Sequence, residues 1–282
     1  MKKVNSSLAE KANDFRKIIL KTANHAGNGH VGGSLSEVDI LTALYFSVMR
    51  IDPSNPSWED RDRFILSKGH ASPGFYTVLS GRGYFDPELL TTFDEVDSIL
   101  QAHPDMHKCP GADYSTGSLG QGLSVGIGIA MGGTRRGRDF KTFVLLGDGE
   151  SQEGQVWEAM MYAGANHVKN LIAIFDYNKV QLSSTMKNNV NIDPLLNKIA
   201  AFNWKVVEVD GHDIDALVET LKAAAEDSSF SPVAVIAHTV KGKGVSFMEN
   251  KYEWHGKAPN DDQLAAAIAE LEGAVNYENE SK

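Results

Sequence analysis

The sequence predicts an α/β fold with a doubly wound, mostly parallel sheet and helices on both faces. Three observations support this fold class. Short apolar runs have the length of buried strands, helical patterns stand between them, and polar turns follow the runs. Strands that alternate with helices are typical of parallel βαβ units. Because no internal repeat or linker-like stretch interrupts the pattern, we expect a single domain over residues 1–282.

Helical patterns open the chain, before the first predicted strand. Ser7–Glu10 and Ser34–Glu37 both have the Ser-x-x-Glu spacing of a capping box, which predicts a helix beginning at each. The apolar side chains that recur at helical spacing after these boxes are Leu8, Phe15, Ile18, Ile19, Leu41, Leu44, Tyr45 and Val48. Each set falls on one face of its helix, so we expect both helices to bury that face.

Strands and helices alternate along the rest of the chain. The apolar runs predict strands over residues 63–67, 141–146, 171–175, 204–209 and 232–238. The stretches between them predict helices over residues 120–133, 153–167 and 213–226. Residues 120–133 are rich in glycine, alanine and small aliphatic side chains, which allow a close backbone approach. We therefore expect this helix in the core or at a subunit contact.

Composition argues against several classes of protein. The net charge of −10 argues against a nucleic-acid binder, since phosphate contacts need a basic face. No apolar run approaches the roughly 20 residues that cross a bilayer, and the N-terminus lacks the apolar stretch of a secretory signal. Cys109 is the single cysteine, which fits a reducing compartment. We therefore expect a cytoplasmic protein without nucleic-acid or membrane partners.

The turn Gly147-Asp148-Gly149 follows one predicted strand, and Asn178 follows the next. In a doubly wound sheet, ligands bind outside the carboxyl ends of parallel strands. Oxygen ligands at two such ends suit a hard divalent cation such as Mg²⁺, which usually adds phosphate oxygens and water. The two glycines permit a tight turn close to a diphosphate. Taken alone, the turn is also compatible with Asp148 as a helix cap.

Four histidines lie in loop-like, mostly glycine-flanked segments, namely His30, His70, His103 and His255. Histidine exchanges a proton near neutral pH, and neighbouring glycines let the backbone approach a ligand. Any one of them, taken singly, is better explained as a structural loop residue. The spacing of these histidines does not match a zinc site. The remaining histidines, His25, His107, His167, His212 and His238, are interpreted as structural.

Five further motifs accompany the metal–diphosphate turn. They are Ser67-Lys68-Gly69-His70-Ala71, His103-Pro104-Asp105, Thr116-Gly117-Ser118-Leu119-Gly120-Gln121-Gly122, Gln152-Glu153-Gly154 and Thr239-Val240-Lys241-Gly242-Lys243-Gly244. In this order they resemble the diphosphate-binding, amino-terminal part of transketolases, over essentially the whole chain. The resemblance implies the thiamine-diphosphate-binding fold, with residues 1–282 as a diphosphate-binding domain. One departure is His30-Val31-Gly32, where the family usually has His-Pro-Gly.

The resemblance also implies roles for individual residues. Asp148 and Asn178 would bind Mg²⁺ or Ca²⁺ through side-chain oxygens, and Val180 through its backbone carbonyl. The implied contacts with thiamine diphosphate are His70, Gly117, Leu119, Asp148, Gly149 and Asn178. The implied catalytic histidines, which would line the reacting carbons of the sugar, are His30, His103 and His255. Glu153 and Glu158 resemble carboxylates that link paired active sites across a subunit interface; without the resemblance, both are ordinary acids near a helix N-terminus.

The activity implied by the resemblance is transfer of a two-carbon ketol unit from a ketose phosphate to an aldose phosphate. The pyrimidine-binding and C-terminal domains of a full-length transketolase have no counterpart in this sequence. We therefore expect them on a separate chain, the C-terminal subunit of a split transketolase. That chain would supply the glutamate that faces the aminopyrimidine ring and the residues that grip the substrate phosphate. The family further implies two copies of each chain, a heterotetramer, with the pentose phosphate pathway as the default setting.

Three alternatives remain open from the sequence. Another thiamine-diphosphate enzyme, similar to deoxyxylulose-phosphate synthase or to the α subunit of a 2-oxo acid dehydrogenase, would share the Asp148 and Asn178 motif. The segments at His103 and at Thr116–Gly122 favour transketolase over both. A non-catalytic, cofactor-binding paralogue would not need the full set of histidines. A flavodoxin-like or dinucleotide-binding domain is disfavoured, because no Gly-x-Gly-x-x-Gly stands between a strand and a helix in the expected arrangement.

Overall fold

A five-stranded sheet forms the centre of the molecule, and every neighbouring pair of strands is parallel. The computed structural model describes residues 2–280, with side chains described for residues 8–273. The strands are β1 (Arg63–Leu66), β2 (Thr142–Gly147), β3 (Leu171–Tyr177), β4 (Lys205–Asp210) and β5 (Val233–His238). Their spatial order is β1-β2-β3-β5-β4. The predicted parallel α/β sheet is therefore confirmed.

Helices precede the sheet and connect its strands. They are α1 (Lys2–Ala26), α2 (Val31–Ala43), α3 (Ser72–Arg82), α4 (Gly122–Arg135), α5 (Gly154–Ala165), α6 (Leu195–Ala200), α7 (Ile214–Ala225) and α8 (Asp261–Glu280). A π-helical turn, Leu44–Val48, continues α2. The helices predicted at 120–133, 153–167 and 213–226 correspond to α4, α5 and α7, whereas α3, α6 and α8 were not predicted. None of the described helices is both long and apolar enough to cross a bilayer.

The sheet separates two hydrophobic cores because successive side chains of a strand point to opposite faces. On β2, Phe143 and Leu145 belong to a core shared with α1, α2, α3 and α7. Val144 and Leu146 belong to a second core shared with α4, α5 and α6. All four side chains are fully buried. Burial on both faces is the reason that β2, β3 and β5 appear in the sequence as continuous apolar runs.

Both predicted capping boxes are wrong. Helix α1 begins at Lys2, ahead of Ser7, whose side chain lies outside the described set. Helix α2 begins at Val31, so Ser34 lies inside it and its hydroxyl donates to the His30 carbonyl (2.9 Å). Glu37 is fully buried and lies 2.7 Å from the amino group of Lys68, rather than folded back on the helix N-terminus. Buried polar partners elsewhere in the fold therefore decide the roles of Ser34 and Glu37.

The register of the sheet sets the position of the polar turns. Gly147, the last residue of β2, pairs with Asp176 near the end of β3. Tyr177 in turn pairs with His238, the last residue of β5. The segments that follow these three strands therefore meet at one edge of the sheet.

Candidate active site

A cavity of about 400 Å³ opens at the carboxyl ends of β2 and β3. Nine of the residues predicted as site residues line it: His30, His70, Gly117, Leu119, Asp148, Gly149, Asn178, Val180 and His255. Lys68, Glu150, Gln181 and Lys241 also line this cavity. Its position agrees with the rule that ligands bind beyond the carboxyl ends of parallel strands.

Glu150 holds the turn after β2 in place. Its buried carboxylate accepts hydrogen bonds from the Gly147 amide (3.0 Å), the Gly120 amide (2.9 Å) and the Ser67 hydroxyl. Burial raises the pKa of Glu150, and these hydrogen bonds oppose the rise. Glu150 thereby ties the turn to the loop before α4 and to the end of β1.

Asp148 is a buried carboxylate whose hydrogen bonds come from backbone amides rather than from a cation. It is 2% exposed and accepts from the amides of Gly149 (2.7 Å) and Lys179. Burial, reinforced by the charge of Asp176, raises the pKa of Asp148 to about 7. A cation beside the carboxylate would favour its charged form. Asp148 is therefore a carboxyl group that a bound divalent cation would hold in its charged form, which suits it as a metal ligand.

Asn178 and Val180 add further oxygens beside Asp148. Asn178 Oδ1 accepts from the Val180 amide (3.0 Å), and the Val180 carbonyl accepts from the ammonium of Lys241 (2.9 Å). In the part of the chain that the structure describes, no cluster of three His, Cys, Asp or Glu side chains is arranged to hold a metal. The donors are instead a carboxylate, an amide and a carbonyl, a set that suits a hard cation such as Mg²⁺ or Ca²⁺. These residues fit such a cation, which would compete with Lys241 for the Val180 carbonyl.

Asp176, near the end of β3, connects the elements beneath the cavity. Its fully buried carboxylate accepts from the Lys68 ammonium (2.6 Å), the Ser36 hydroxyl (2.6 Å) and the Thr239 hydroxyl. Burial opposes ionisation of Asp176, but Lys68 and these hydroxyls outweigh it and keep its pKa below the usual range. Lys68 also pairs with Glu37 at 2.7 Å, and burial raises the pKa of Glu37 to about 8. Lys68 and Asp176 therefore form the ionised pair, and Glu37 holds its proton more readily than Asp176 does.

Three of the predicted histidines form one cluster in the cavity wall. The ring centroids of His30, His70 and His255 lie 4.9 to 5.4 Å apart. Burial lowers the pKa of all three, that of His255 to about 3, and nearby cations lower them further. The cluster is therefore uncharged at neutral pH. Lys241 Nζ lies 2.7 Å from Nδ1 of His255 and can only donate, so the proton of that ring is on Nε2.

The other predicted site residues lie outside the cavity wall. His103 is exposed and packs beside the wall, because a Cβ placed on Gly117 would lie 3.2 Å from its ring. Glu153 precedes α5 and Glu158 lies within it, and both are exposed. A Cβ placed on Gly120 would lie 3.0 Å from the Cβ of Glu153, so Glu153 packs against the loop whose Gly120 amide donates to Glu150.

Sequence reasoning missed several polar residues at the site. Lys68 and Lys241 lie inside motifs that stand out through their glycines, and a glycine directly follows each of these lysines. Glu37, Glu150 and Asp176 gave no comparable signal. Two of these acids lie within or beside apolar runs, where only the fold shows which cation or amide faces each carboxylate.

Comparisons with known proteins identify the family of the chain. A family model, the thiamine diphosphate binding domain of transketolase, matches residues 8–277. A 6-deoxy-6-sulfo-D-fructose transketolase subunit of a Clostridium species is 43% identical over 94% of this chain and 96% of the relative. One of the subunits of the apulose-4-phosphate transketolase of Actinobacillus succinogenes is also 43% identical, over 91% and 92% of the two chains.

Solved transketolase structures share the fold of this chain. The transketolase of Campylobacter jejuni superposes with a TM-score of 0.87 at 30% identity, over 94% of this chain and 42% of that one. A transketolase variant from Pichia stipitis superposes with a TM-score of 0.88 at 29% identity, over 94% and 40%. This chain thus spans about two fifths of the length of those transketolases, whereas it spans nearly all of the two subunit relatives. The chain therefore belongs to the transketolase family, a family of transferases, and corresponds to its amino-terminal, thiamine diphosphate binding part.

Proposed function

We propose that this chain is the amino-terminal subunit of a two-chain transketolase. Together with its partner it transfers a two-carbon ketol unit from a ketose phosphate to an aldose phosphate, with thiamine diphosphate and Mg²⁺. The observation that carries this proposal is that oxygen donors for a cation and a cluster of uncharged histidines line one cavity. The two subunit relatives support the two-chain arrangement.

The cofactor would occupy the cavity through its metal and its diphosphate. Asp148, Asn178 and the Val180 carbonyl are proposed to hold Mg²⁺ or Ca²⁺, a hard cation that would favour the binding of a diphosphate in this cavity. The residues proposed to contact the cofactor itself are His70, Gly117, Leu119 and Gly149. When bound, thiamine diphosphate supplies the carbon nucleophile and electron sink that protein side chains lack.

The histidines are proposed to handle the protons of the substrate hydroxyls. A neutral ring at His30 can accept a proton at one nitrogen or donate a hydrogen bond from the other. Because Lys241 occupies Nδ1 of His255, its Nε2–H group is the one available to a sugar oxygen. His103 is exposed beside the wall of the cavity, where it can exchange protons with solvent. These roles would make the histidines more important for turnover than for cofactor affinity.

A partner chain is proposed to complete the active site. It would carry the pyrimidine-binding and C-terminal domains, while residues 1–282 form one diphosphate-binding domain. Glu153 and Glu158 would face a subunit interface, in an assembly with two copies of each chain. Met161 and Tyr162 support an interface here, since these large apolar side chains of α5 are 55% and 47% exposed. We place the assembly in the cytoplasm and in sugar phosphate metabolism, with pentose phosphates as the default substrates.

The test is a ketol-transfer assay with thiamine diphosphate and Mg²⁺. The chain is assayed alone and then mixed with the product of the adjacent reading frame, if that frame encodes a pyrimidine-binding half. We expect activity only in the mixture. Turnover by this chain alone would contradict the incomplete site, and release of CO₂ from a 2-oxo acid would identify a different thiamine-diphosphate reaction. Cofactor binding without turnover in any mixture would favour a non-catalytic paralogue.

A further inference from the structure

A buried polar chain runs from α1 to the segment that carries Lys241, on residues that the proposed mechanism does not use. It begins at Arg16 on α1, whose guanidinium pairs with Asp39 on α2. The same oxygen of Asp39 lies 2.7 Å from Nδ1 of His212, which lies in the loop between β4 and α7. The three side chains are 8%, 6% and 13% exposed. His212 therefore packs within the fold, away from the cavity wall.

The hydrogen bonds of His212 determine its tautomer. The backbone amide of Val240 lies 2.8 Å from Nε2 of His212, and an amide can only donate. Nε2 must therefore accept, so Nδ1 carries the proton and donates to Asp39. Burial opposes ionisation of Asp39, but Arg16 and His212 outweigh it and lower its pKa. Asp39 is thus a charged acceptor that keeps His212 in the tautomer suited to the Val240 amide.

The residues on either side of Val240 belong to the active site. The Thr239 hydroxyl donates to Asp176, and the Lys241 ammonium contacts the Val180 carbonyl and His255. A displacement of the Val240 peptide would therefore move the ammonium of Lys241. That movement would change the hydrogen bond at Nδ1 of His255.

Other hydrogen bonds hold the same segment in the fold. The amide of Gly242 donates to the carbonyl of Gly32 (3.0 Å), and the amide of Asn250 donates to the carbonyl of Lys241 (2.9 Å). Loss of the bond to His212 alone should therefore shift the Val240 peptide without unfolding the segment.

We infer that His212 is a positioning residue, which fixes the Val240 peptide and thereby places Lys241 against the Val180 carbonyl and His255. The significance of His212 for catalysis rests on the proposed function. The positioning of the Val240 peptide by His212 is independent of that function, since every contact lies within this chain.

Two substitutions separate the two hydrogen bonds of His212. In His212→Asn, the amide nitrogen takes the place of Nδ1 and can still donate to Asp39, but the acceptor for Val240 is lost. In His212→Gln, the carbonyl oxygen takes the place of Nε2 and the acceptor for Val240 is retained. His238→Asn is the matched control. His238 stands two residues before Val240 in the sequence, and its ring also pairs with a carboxylate, that of Glu208.

Nuclear magnetic resonance of the chain alone gives the decisive readouts. We expect the Val240 amide to exchange its hydrogen about tenfold faster or more in His212→Asn than in the parent, the change that loss of one hydrogen bond produces. The Nδ1 resonance of His255 should shift in the same variant. His212→Gln and His238→Asn should keep parental values for both. Calorimetry with Mg²⁺ and thiamine diphosphate should show weaker binding, by about tenfold, for His212→Asn alone.

The outcomes distinguish this inference from the proposed function. Parental exchange at Val240 in His212→Asn would overturn the inference. So would faster exchange across the whole chain in both His212 variants, which would indicate a purely structural role. If the exchange and the His255 resonance change as expected but even the parent fails to bind the cofactor, His212 retains its positioning role and the proposed function fails.

Discussion

Asp148→Asn removes a buried negative charge at the end of β2 with little change in volume. Without metal, burial and Asp176 raise the pKa of Asp148 to about 7, whereas an unfolded aspartate has a pKa of about 3.9. Between these values the folded chain keeps a proton that the unfolded chain has lost. Because the folded pKa is the raised one, stability is greatest below the unfolded pKa. It then falls as the pH rises toward the folded pKa.

The size of the effect follows from this difference. From about pH 5 to the folded pKa near 7, each pH unit lowers the stability of the parent by about 1.4 kcal/mol, or roughly 2 to 3 kcal/mol in all. Asparagine does not titrate, so the variant should lack this loss. The NH₂ group of the asparagine would also face one of the two backbone amides from which Asp148 accepts a hydrogen bond. The loss of that hydrogen bond lowers stability by about 1–3 kcal/mol at every pH. The change with pH is therefore the diagnostic quantity, rather than the absolute stability.

Urea unfolding of parent and Asp148→Asn in EDTA, at about pH 5 and about pH 8, measures this change. The measurement at about pH 5 is the internal control, because residue 148 is then neutral in both folded chains. We expect only the parent to gain stability when Mg²⁺ and thiamine diphosphate are added at the higher pH. Equal losses of stability in parent and variant between the two pH values would refute the assigned environment of Asp148.

Three further predictions concern other residues of the site. His103→Ala should slow ketol transfer by about 10²–10⁴-fold in the reconstituted enzyme and leave cofactor affinity nearly unchanged. The control is His107→Ala, which replaces an exposed histidine on the same loop. Equal kcat values for the two variants would count against a catalytic role of His103. Glu150→Gln should lower the free energy of unfolding by about 1–3 kcal/mol, because the glutamine NH₂ group would face a backbone amide from which the carboxylate now accepts a hydrogen bond. An unchanged midpoint of urea unfolding would contradict those contacts. Lys241→Met should raise the pKa of His255 above its present value of about 3, since it removes a nearby cation while the effect of burial persists. The pKa is measured by nuclear magnetic resonance, and an unchanged value would show that Lys241 does not act on this ring.

The buried strands and the turn Gly147-Asp148-Gly149 were predictable because their signals are local. A strand buried on both faces must be apolar throughout, so β2, β3 and β5 appear as continuous apolar runs. Glycine is common in the turns that follow strands, and here it marks Asp148 through its neighbours Gly147 and Gly149. Helix α3 was missed although Pro73 in its first turn and the left-handed Gly83 after its last residue mark its two ends. Helix α6 has only six residues, too few for a helical pattern of apolar side chains to be recognised.

The capping boxes show where local reasoning fails. Ser34 and Glu37 have the correct spacing, but α2 begins before them. In the fold, Glu37 faces the ammonium of Lys68, which also pairs with Asp176. No sequence spacing relates these three residues, which come from α2, the end of β1 and β3. A buried acid finds its partner only when the sheet brings those elements together.

By itself, the sequence determined the parallel α/β fold, nine of the residues that line the cavity and the membership of a thiamine-diphosphate family. These properties depend on apolar periodicity, on glycines at turns and on the order of short motifs, all of which are written along the chain. The tertiary structure alone decided that Lys241 contacts the Val180 carbonyl, that Glu150 fastens the loop before α4, and that His212 supports Val240. The physical reason is burial, because a polar group removed from water must find a partner in space, and its partners here lie far away in the sequence.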